Sequence, residues 1–212
     1  MTGARAARGV LVGIGLPLLA ISWSVISALG PWETKAPDPH AKGSPSIAVI
    51  GGKLYVQGFD QGTGDPSSFV ARLSIYDPDS NAWTTAPTVP SPAIIRAYAT
   101  AAAIDGKLYI VGGCVRANCT SPTDALEIYD PAANTWSTGT HMPTKRFGAA
   151  AGVIAGKLYV TAGTTGIFNP TNVTEIYDPV TDTWWTGAAI PTSRELAASA
   201  VVNGRLYVIG GF

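Results

Sequence analysis

A four-residue phrase written four times constrains this chain more than anything else in it. Gly-Lys-Leu-Tyr stands at residues 52–55, 106–109 and 156–159 and returns as Gly-Arg-Leu-Tyr at 204–207, in steps of 54, 50 and 48 residues. Ile-Tyr-Asp-Pro follows the first three copies at 75–78, 128–131 and 176–179, and each is followed at one fixed offset by Trp83, Trp136 or Trp184. Three markers that move together define a module of about fifty residues. One such module cannot bury its own apolar face, so the copies must stack on one another.

Each marker has a local physical reason. Gly51-Gly52, Asp105-Gly106 and Asn203-Gly204 are pairs that accept positive φ, as a two-residue hairpin turn demands, and Ala155-Gly156 is a weaker version. Gly52, Gly106, Gly156 and Gly204 therefore mark turns between a strand that enters and a strand that leaves. The entering segments, 46–50, 98–104, 149–154 and 197–202, are alanine-rich, and propensity alone would make them helical. They are too short for that, contain Gly or β-branched residues, and run into hairpin turns, so strands are predicted. Small side chains also suit a strand crowded near an axis. A third strand ends in Tyr-Asp-Pro, where the carboxylates of Asp77, Asp130 and Asp178 suit the first turn position and the following Pro the second. The tryptophan then lies on a fourth strand. Four antiparallel strands per module, with Tyr76, Tyr129 and Tyr177 and Trp83, Trp136 and Trp184 packing between modules, describe propeller blades.

This pattern resembles the kelch repeat, with paired glycines after the second strand at Gly112-Gly113 and Gly210-Gly211, Tyr129 before the turn and Trp136 after it. Gly58-Phe59 and Ala162-Gly163 each lose one glycine of the pair. The resemblance implies an all-β chain of kelch-type β-propeller blades, and the apolar start of the chain adds one N-terminal apolar helix. Complete repeats are expected at 44–92, 93–145 and 146–193, with a partial fourth at 194–212. Trp32 opens a stretch similar to the one after Trp83, so residues 31–43 are read as the outer strand of a composite blade and a linker. A kelch ring of about six or seven blades would be longer. A truncated reading frame, two half-rings associating, or an unusual small ring would each account for this. Open blade edges predict self-association rather than a well-behaved monomer.

Arg5 and Arg8 precede an uncharged apolar stretch at 9–31. Residues 1–30 are read as a signal peptide or an uncleaved membrane anchor, with the arginines cytoplasmic and the rest outside, secreted or membrane-anchored. In that compartment Cys114 and Cys119 predict a local disulfide. Asn118 and Asn172 open glycosylation sequons, relevant only in a host that glycosylates.

Fourteen basic and fourteen acidic side chains balance, and only 13% of the chain is charged, which excludes a nucleic-acid partner of the basic type. Two histidines, in different linkers, provide neither a metal site nor a catalytic triad. They equally rule out the copper chemistry of galactose oxidase-like propellers, so no cofactor, metal or catalytic residue is assigned. Arg96, Arg146 and Arg194 each precede the inner strand of a blade. They are candidates to bind a carboxylate-bearing ligand, the alternative being that each pairs with a neighbouring acid. The loops at 59–73, 114–125 and 164–174 vary while the strands repeat, as a recognition surface permits. The expected function is an extracytoplasmic binding or scaffold module for a protein or glycan. The alternatives are a carbohydrate-active enzyme similar to the kelch-type sialic-acid mutarotase, using the arginines, or a truncated product without activity of its own.

Overall fold

The structure is a computed structural model that describes residues 32–40, 42–60, 70–87, 96–115 and 119–212. The segment 1–30, read as a signal peptide or anchor, and the sequon residue Asn118 lie outside the described residues. The strands all lie within residues 35–212. Among the described residues there is no helix, and so none long and apolar enough to cross a membrane.

The first blade comprises β1 (Lys42–Ile50), β2 (Lys53–Asp60), β3 (Val70–Asp77) and β4 (Ala82–Thr85). The second contains β5 (Arg96–Ala97), β6 (Thr100–Ile104), β7 (Lys107–Val111), β8 (Cys114–Val115), β9 (Ser121–Pro122), β10 (Leu126–Asp130) and β11 (Thr135–Gly139). The third is β12 (Ala150–Ile154), β13 (Lys157–Thr161), β14 (Thr174–Asp178) and β15 (Thr183–Thr186), followed by the pair β16 (Ala198–Val202) and β17 (Arg205–Ile209). Each of the three blades is an antiparallel four-stranded meander: β1-β2-β3-β4, β6-β7-β10-β11 and β12-β13-β14-β15. β16 and β17 form a two-stranded sheet, and β5, β8 and β9 a small three-stranded one.

All four inner hairpins turn through two residues of positive φ, Gly51/Gly52, Asp105/Gly106, Ala155/Gly156 and Asn203/Gly204. That is the type I′ geometry, whose twist matches the strands it joins. The outer turns repeat as closely. Asp77, Asp130 and Asp178 each accept the backbone N–H two residues on, at 3.0, 2.9 and 2.9 Å. The same carboxylates pair with Lys53 (2.9 Å), Lys107 (3.0 Å) and Lys157, the lysines of the Gly-Lys-Leu-Tyr phrase. These lysines hold the aspartates below the usual carboxylate range, chiefly through the side-chain hydrogen bond. The two phrases are thus two halves of one clamp on the turn side of every complete blade.

Tyrosine and tryptophan carry the packing. In each blade the pair Tyr76–Trp83, Tyr129–Trp136 or Tyr177–Trp184 sits with ring centroids 5.0 Å apart. The tyrosine hydroxyls donate to Asn81, Asn134 and Asp182, residues that themselves take positive φ. Between blades, Tyr55 meets Tyr129 and Tyr109 meets Tyr177, at 6.3 and 6.1 Å. The indole N–H groups of Trp83, Trp136 and Trp184 donate to the carbonyls of Ala36, Pro87 and Thr140, which lie in the preceding linkers. Ala36 stands four residues after Trp32, as Pro87 does after Trp83 and Thr140 after Trp136, so the Trp32 stretch occupies the register that its likeness to 83–90 implies. It is nonetheless not a strand. Residues 32–38 run outside any sheet, Trp32 is 93% exposed, and β16–β17 has no further member. The outer strand expected within 31–43 is therefore corrected: among the described residues this stretch is linker, tied to the first blade through Ala36.

The missing glycines have a structural counterpart. In the second blade Gly112 and Gly113 take φ of 65° and 96°, which breaks the ladder and separates β7 from β8. In the third blade Ala162 takes the same left-handed conformation as its counterpart Gly112, beside Gly163. In the first blade the ladder is interrupted only by a bulge in β1 between Gly43 and Ser46. β1 and β2 continue to Lys42 and Asp60, and the Phe59 ring lies where a side chain on Gly43 would be.

Candidate functional site

Alternation of antiparallel strands sorts the connections onto two faces. The inner hairpins and the Asp-Pro turns lie on one. The linkers entering each blade and the long loops between second and third strands lie on the other, where Ala150 pairs with Thr161 and Thr100 with Val111. The described residues of the variable segments belong to this loop face.

At its centre, four residues in repeat register, Ser44, Tyr98, Gly148 and Leu196, share positive φ of 44°, 53°, 61° and 56°. A tyrosine and a leucine in this region are strained, and such strain persists only where surroundings impose it. Here the cause is a backbone ladder around the axis: Gly148 N–H donates to Tyr98 O and Leu196 N–H to Gly148 O, each at 2.9 Å. Hydroxyls add to it, Ser46 donating to Ala99 O, Thr100 to Ala149 O and Ser199 to Ala151 O. Ser44, Tyr98, Ala99, Gly148, Leu196 and Ala197 line an axial depression of about 250 Å³. Its wall is mostly main chain and small side chains, with Tyr98 braced against Phe147 at 6.1 Å.

The loop between β13 and β14 projects from the same face and is held by its own polar groups. Thr164 bridges to both Phe147 and Pro170, and its hydroxyl donates to Gly166 O. Thr165 and Asn169 exchange bonds: Thr165 N–H to Asn169 O at 3.1 Å, and Asn169 Nδ2 to Thr165 Oγ1 at 2.6 Å. The tip this bracing presents is apolar, with Ile167 63% and Phe168 93% exposed. In the second blade the equivalent loop carries β8 and β9. There Cys114 and Cys119 are disulfide-bonded with Cα atoms 4.8 Å apart, and both are buried beside Phe59 and Ala97. Asn172 is half-buried, and its carbonyl accepts from Ile190 N–H.

The arginines answer differently. Arg96 and Arg146 have no exposed side-chain surface, and their guanidinium groups pair with the carboxylates of Glu127 and Glu175. Arg96 Nη1 also donates to Gly112 O and Ala125 O at 3.0 Å, and Arg146 Nη1 to Ala162 O and Val173 O at 3.1 and 2.8 Å. Burial lowers both guanidinium pKa values and the adjoining glutamates raise them in part. The ligand-binding assignment of Arg96 and Arg146 is corrected: both side chains are enclosed within their blades, where the charge meets a carboxylate and Nη1 meets two carbonyls, so neither reaches a ligand at the surface. Each joins the entry linker to the second and third strands. Sequence reasoning passed over Glu127 and Glu175, although Glu-Ile-Tyr-Asp occurs where the blade has an arginine, whereas the first blade has Ser74 and Lys42 at these positions. The Arg194 side chain is half-exposed and donates to Gly210 O at 2.8 Å, and among the described residues no carboxylate pairs with it.

Among the described residues no group of three His, Cys, Asp or Glu side chains is placed to hold a metal. His141, exposed, lies 3.1 Å from Asp124.

Repeated four-stranded antiparallel modules, joined at a common axis and docked through the same aromatic pair, define the chain as built of β-propeller blades. It belongs to the kelch-repeat family: the model of the KLHDC2/KLHL20/DRC7 Kelch-repeats domain matches residues 21–211. Human Kelch-like protein 33 is 34% identical over 160 residues, 76% of this chain and 27% of the relative. Human Kelch repeat and BTB domain-containing protein 13 is 34% identical over 61% of this chain and 27% of its own length. Kelch-like protein terF of Aspergillus terreus is 27% identical over 63% and 30%. The chain thus spans under a third of the length of these curated relatives. The solved structure of YjhT superposes with a TM-score of 0.73 at 20% identity, over 85% of this chain and 62% of that one, a likeness of fold.

Proposed function

We propose that the protein is a non-catalytic recognition module that binds a protein partner through its loop face. The observation that carries this reading is the braced tip at Ile167 and Phe168. A large aromatic and a β-branched side chain are held in solvent by a hydrogen-bonded loop, so little ordering entropy is lost on docking. Membership of the kelch-repeat family supports protein binding over a glycan. So does the enclosure of Arg96 and Arg146 within their blades, which removes the cationic ring a sugar acid would need. The disulfide between Cys114 and Cys119 and the uncharged stretch at 9–31 support a place outside the cytoplasm.

A photo-reactive amino acid at Phe168 or Tyr98, compared with one at Val180 on the opposite face, tests this in the source cell. Protein cross-links should concentrate at the first two positions and disappear when Ile167 is replaced by Asp. Equal labelling from both faces would reject the loop face as the binding surface.

A further inference from the structure

The loops after the second strand of the second and third blades share one framework. Cys114 and Thr164 stand in the same register, after Gly113 and Gly163. Each pairs with its entry linker, at Ala97 and Phe147, and with a proline of its own loop, Pro122 and Pro170. Thr123 N–H donates to Gly113 O and Thr171 N–H to Gly163 O, at 2.9 and 2.8 Å, and the carbonyls of Thr123 and Thr171 accept from the N–H groups of Arg146 and Arg194. The fastenings inside this framework differ. Hydrogen bonds between Thr165 and Asn169 hold the third loop, and the Cys114–Cys119 disulfide holds the second. The third blade thus shows that the framework stands without a covalent link. What the disulfide adds is the placement of Cys119 at the entry to β9.

The two sulfurs are not equivalent. Cys114 has no exposed surface, and its Sγ lies 3.5 Å from Ala97 O, an acceptor that a thiol at this position would meet at once. Cys119 is 8% exposed and has φ of 49°, a left-handed conformation that an L side chain keeps only under constraint. The pair also backs the loop face. It is buried with Phe59 and Ala97, Phe147 packs on the same cluster, and Phe147 braces Tyr98, itself at positive φ. We infer that Cys114–Cys119 is a redox switch of the loop face: as a disulfide it holds Phe147 and Tyr98 in place for docking, and a dithiol reductant releases them without unfolding the blades. A thiolate of the reductant bonds to the Cys119 sulfur and the S–S bond breaks, with Cys114 leaving as a thiolate. The reductant's second thiolate then displaces Cys119, and the reductant departs as its own disulfide, having given two electrons. Its two thiol protons pass to Cys114, which donates to Ala97 O, and to Cys119. Cys119 can then leave its left-handed conformation, β9 loosens from β8, and the support behind Phe147 is lost. The effect on docking rests on the loop face being the binding surface, whereas the release itself does not.

The test titrates the full chain with dithiothreitol. In the reduced protein a maleimide should label Cys119 about tenfold or more faster than Cys114. The backbone amides of Val115 and Ser121 should exchange about tenfold or more faster than in the oxidised protein, while those of Thr164 and Thr171 keep their rates and tryptophan fluorescence still reports folded blades. Photo-cross-linking from Tyr98 should fall about fivefold or more and return on reoxidation. A chain carrying both Cys114→Ser and Cys119→Ser should match the reduced protein in exchange and cross-linking under either redox condition. Exchange unchanged by reduction, equal labelling of the two thiols, or global unfolding on reduction would each overturn the switch. Release with undiminished cross-linking from Tyr98 would overturn its control of docking. Absence of cross-links in both states would reject the loop face as the binding surface, and with it the control of docking, while labelling and exchange still decide whether the disulfide releases Cys119.

Discussion

Replacing Arg146 by Met distinguishes an arginine that holds a blade together from one that waits for a ligand. Methionine keeps much of the aliphatic stem and removes every donor. Glu175, whose side chain is 3% exposed, is then left with the Thr144 hydroxyl as its remaining hydrogen-bond donor, and the carbonyls of Ala162 and Val173 lose the donor they shared. Breaking a buried ion pair from one side costs about 3–5 kcal/mol, because the surviving charge stays out of water. For a chain of this size each kcal/mol moves Tm by about 2–4 °C, so a fall of about 6–20 °C is expected. Adding Glu175→Leu removes the stranded charge and should restore part of the loss, making the double variant more stable than the sum of the single effects predicts. Thermal and urea unfolding followed by tryptophan fluorescence would read all four proteins. An Arg146→Met protein that melts with the wild type would refute the reasoning, as would strictly additive effects, since either shows that the pair is not closed in solution.

Two further outcomes follow from backbone and phenol chemistry. Gly163 has φ of 88°, and a Cβ there would lie 2.8 Å from the Phe147 carbonyl oxygen. Gly163→Ala should therefore destabilise by at least about 1–2 kcal/mol, and by more than Gly156→Ala, where a Cβ meets nothing within 4 Å; equal losses in urea unfolding would contradict this. Burial raises the phenol pKa of Tyr55, Tyr109, Tyr129 and Tyr177, with the bond to Asp182 adding to the effect at Tyr177. A group raised in the folded state contributes stability that is complete below its unfolded pKa, about 10 for tyrosine, and is lost as pH climbs from there through the folded value. Absorbance titration should show these four phenols ionising together with unfolding, whereas independent ionisation near pH 10 in a still-folded protein would rule the burial out.

Much of this architecture is legible in the sequence because its signals are local and repeated. Asp105-Gly106 and Asn203-Gly204 have few conformations to choose from, and the fixed interval from Tyr129 to Trp136 is the length of one tight turn and its strands. The loops between second and third strands are less readable. β8 and β9, or the brace between Thr165 and Asn169, depend on which polar groups happen to meet, and no period marks them. Arg96 and Arg146 were open to two readings for a different reason. Recurrence shows that a residue is needed at each blade but not whether it faces inward. Comparing repeats resolves the ambiguity, because the acid at 127 and 175 is absent where Lys42 replaces the arginine. Trp32 shows that a stretch can keep the register of a repeat without forming its strand.

Hydrogen exchange at the tryptophan indoles tests most directly whether the modules dock as described. Trp83, Trp136 and Trp184 donate their indole N–H to the carbonyl of the preceding linker, while Trp32 and Trp185 make no such bond. Two-dimensional NMR should show three indole protons exchanging slowly and losing protection together as urea is added, with those of Trp32 and Trp185 exchanging fast from the outset. If all of these indoles exchanged at the free rate in the folded protein, the blades would not be packed through the contact that defines them.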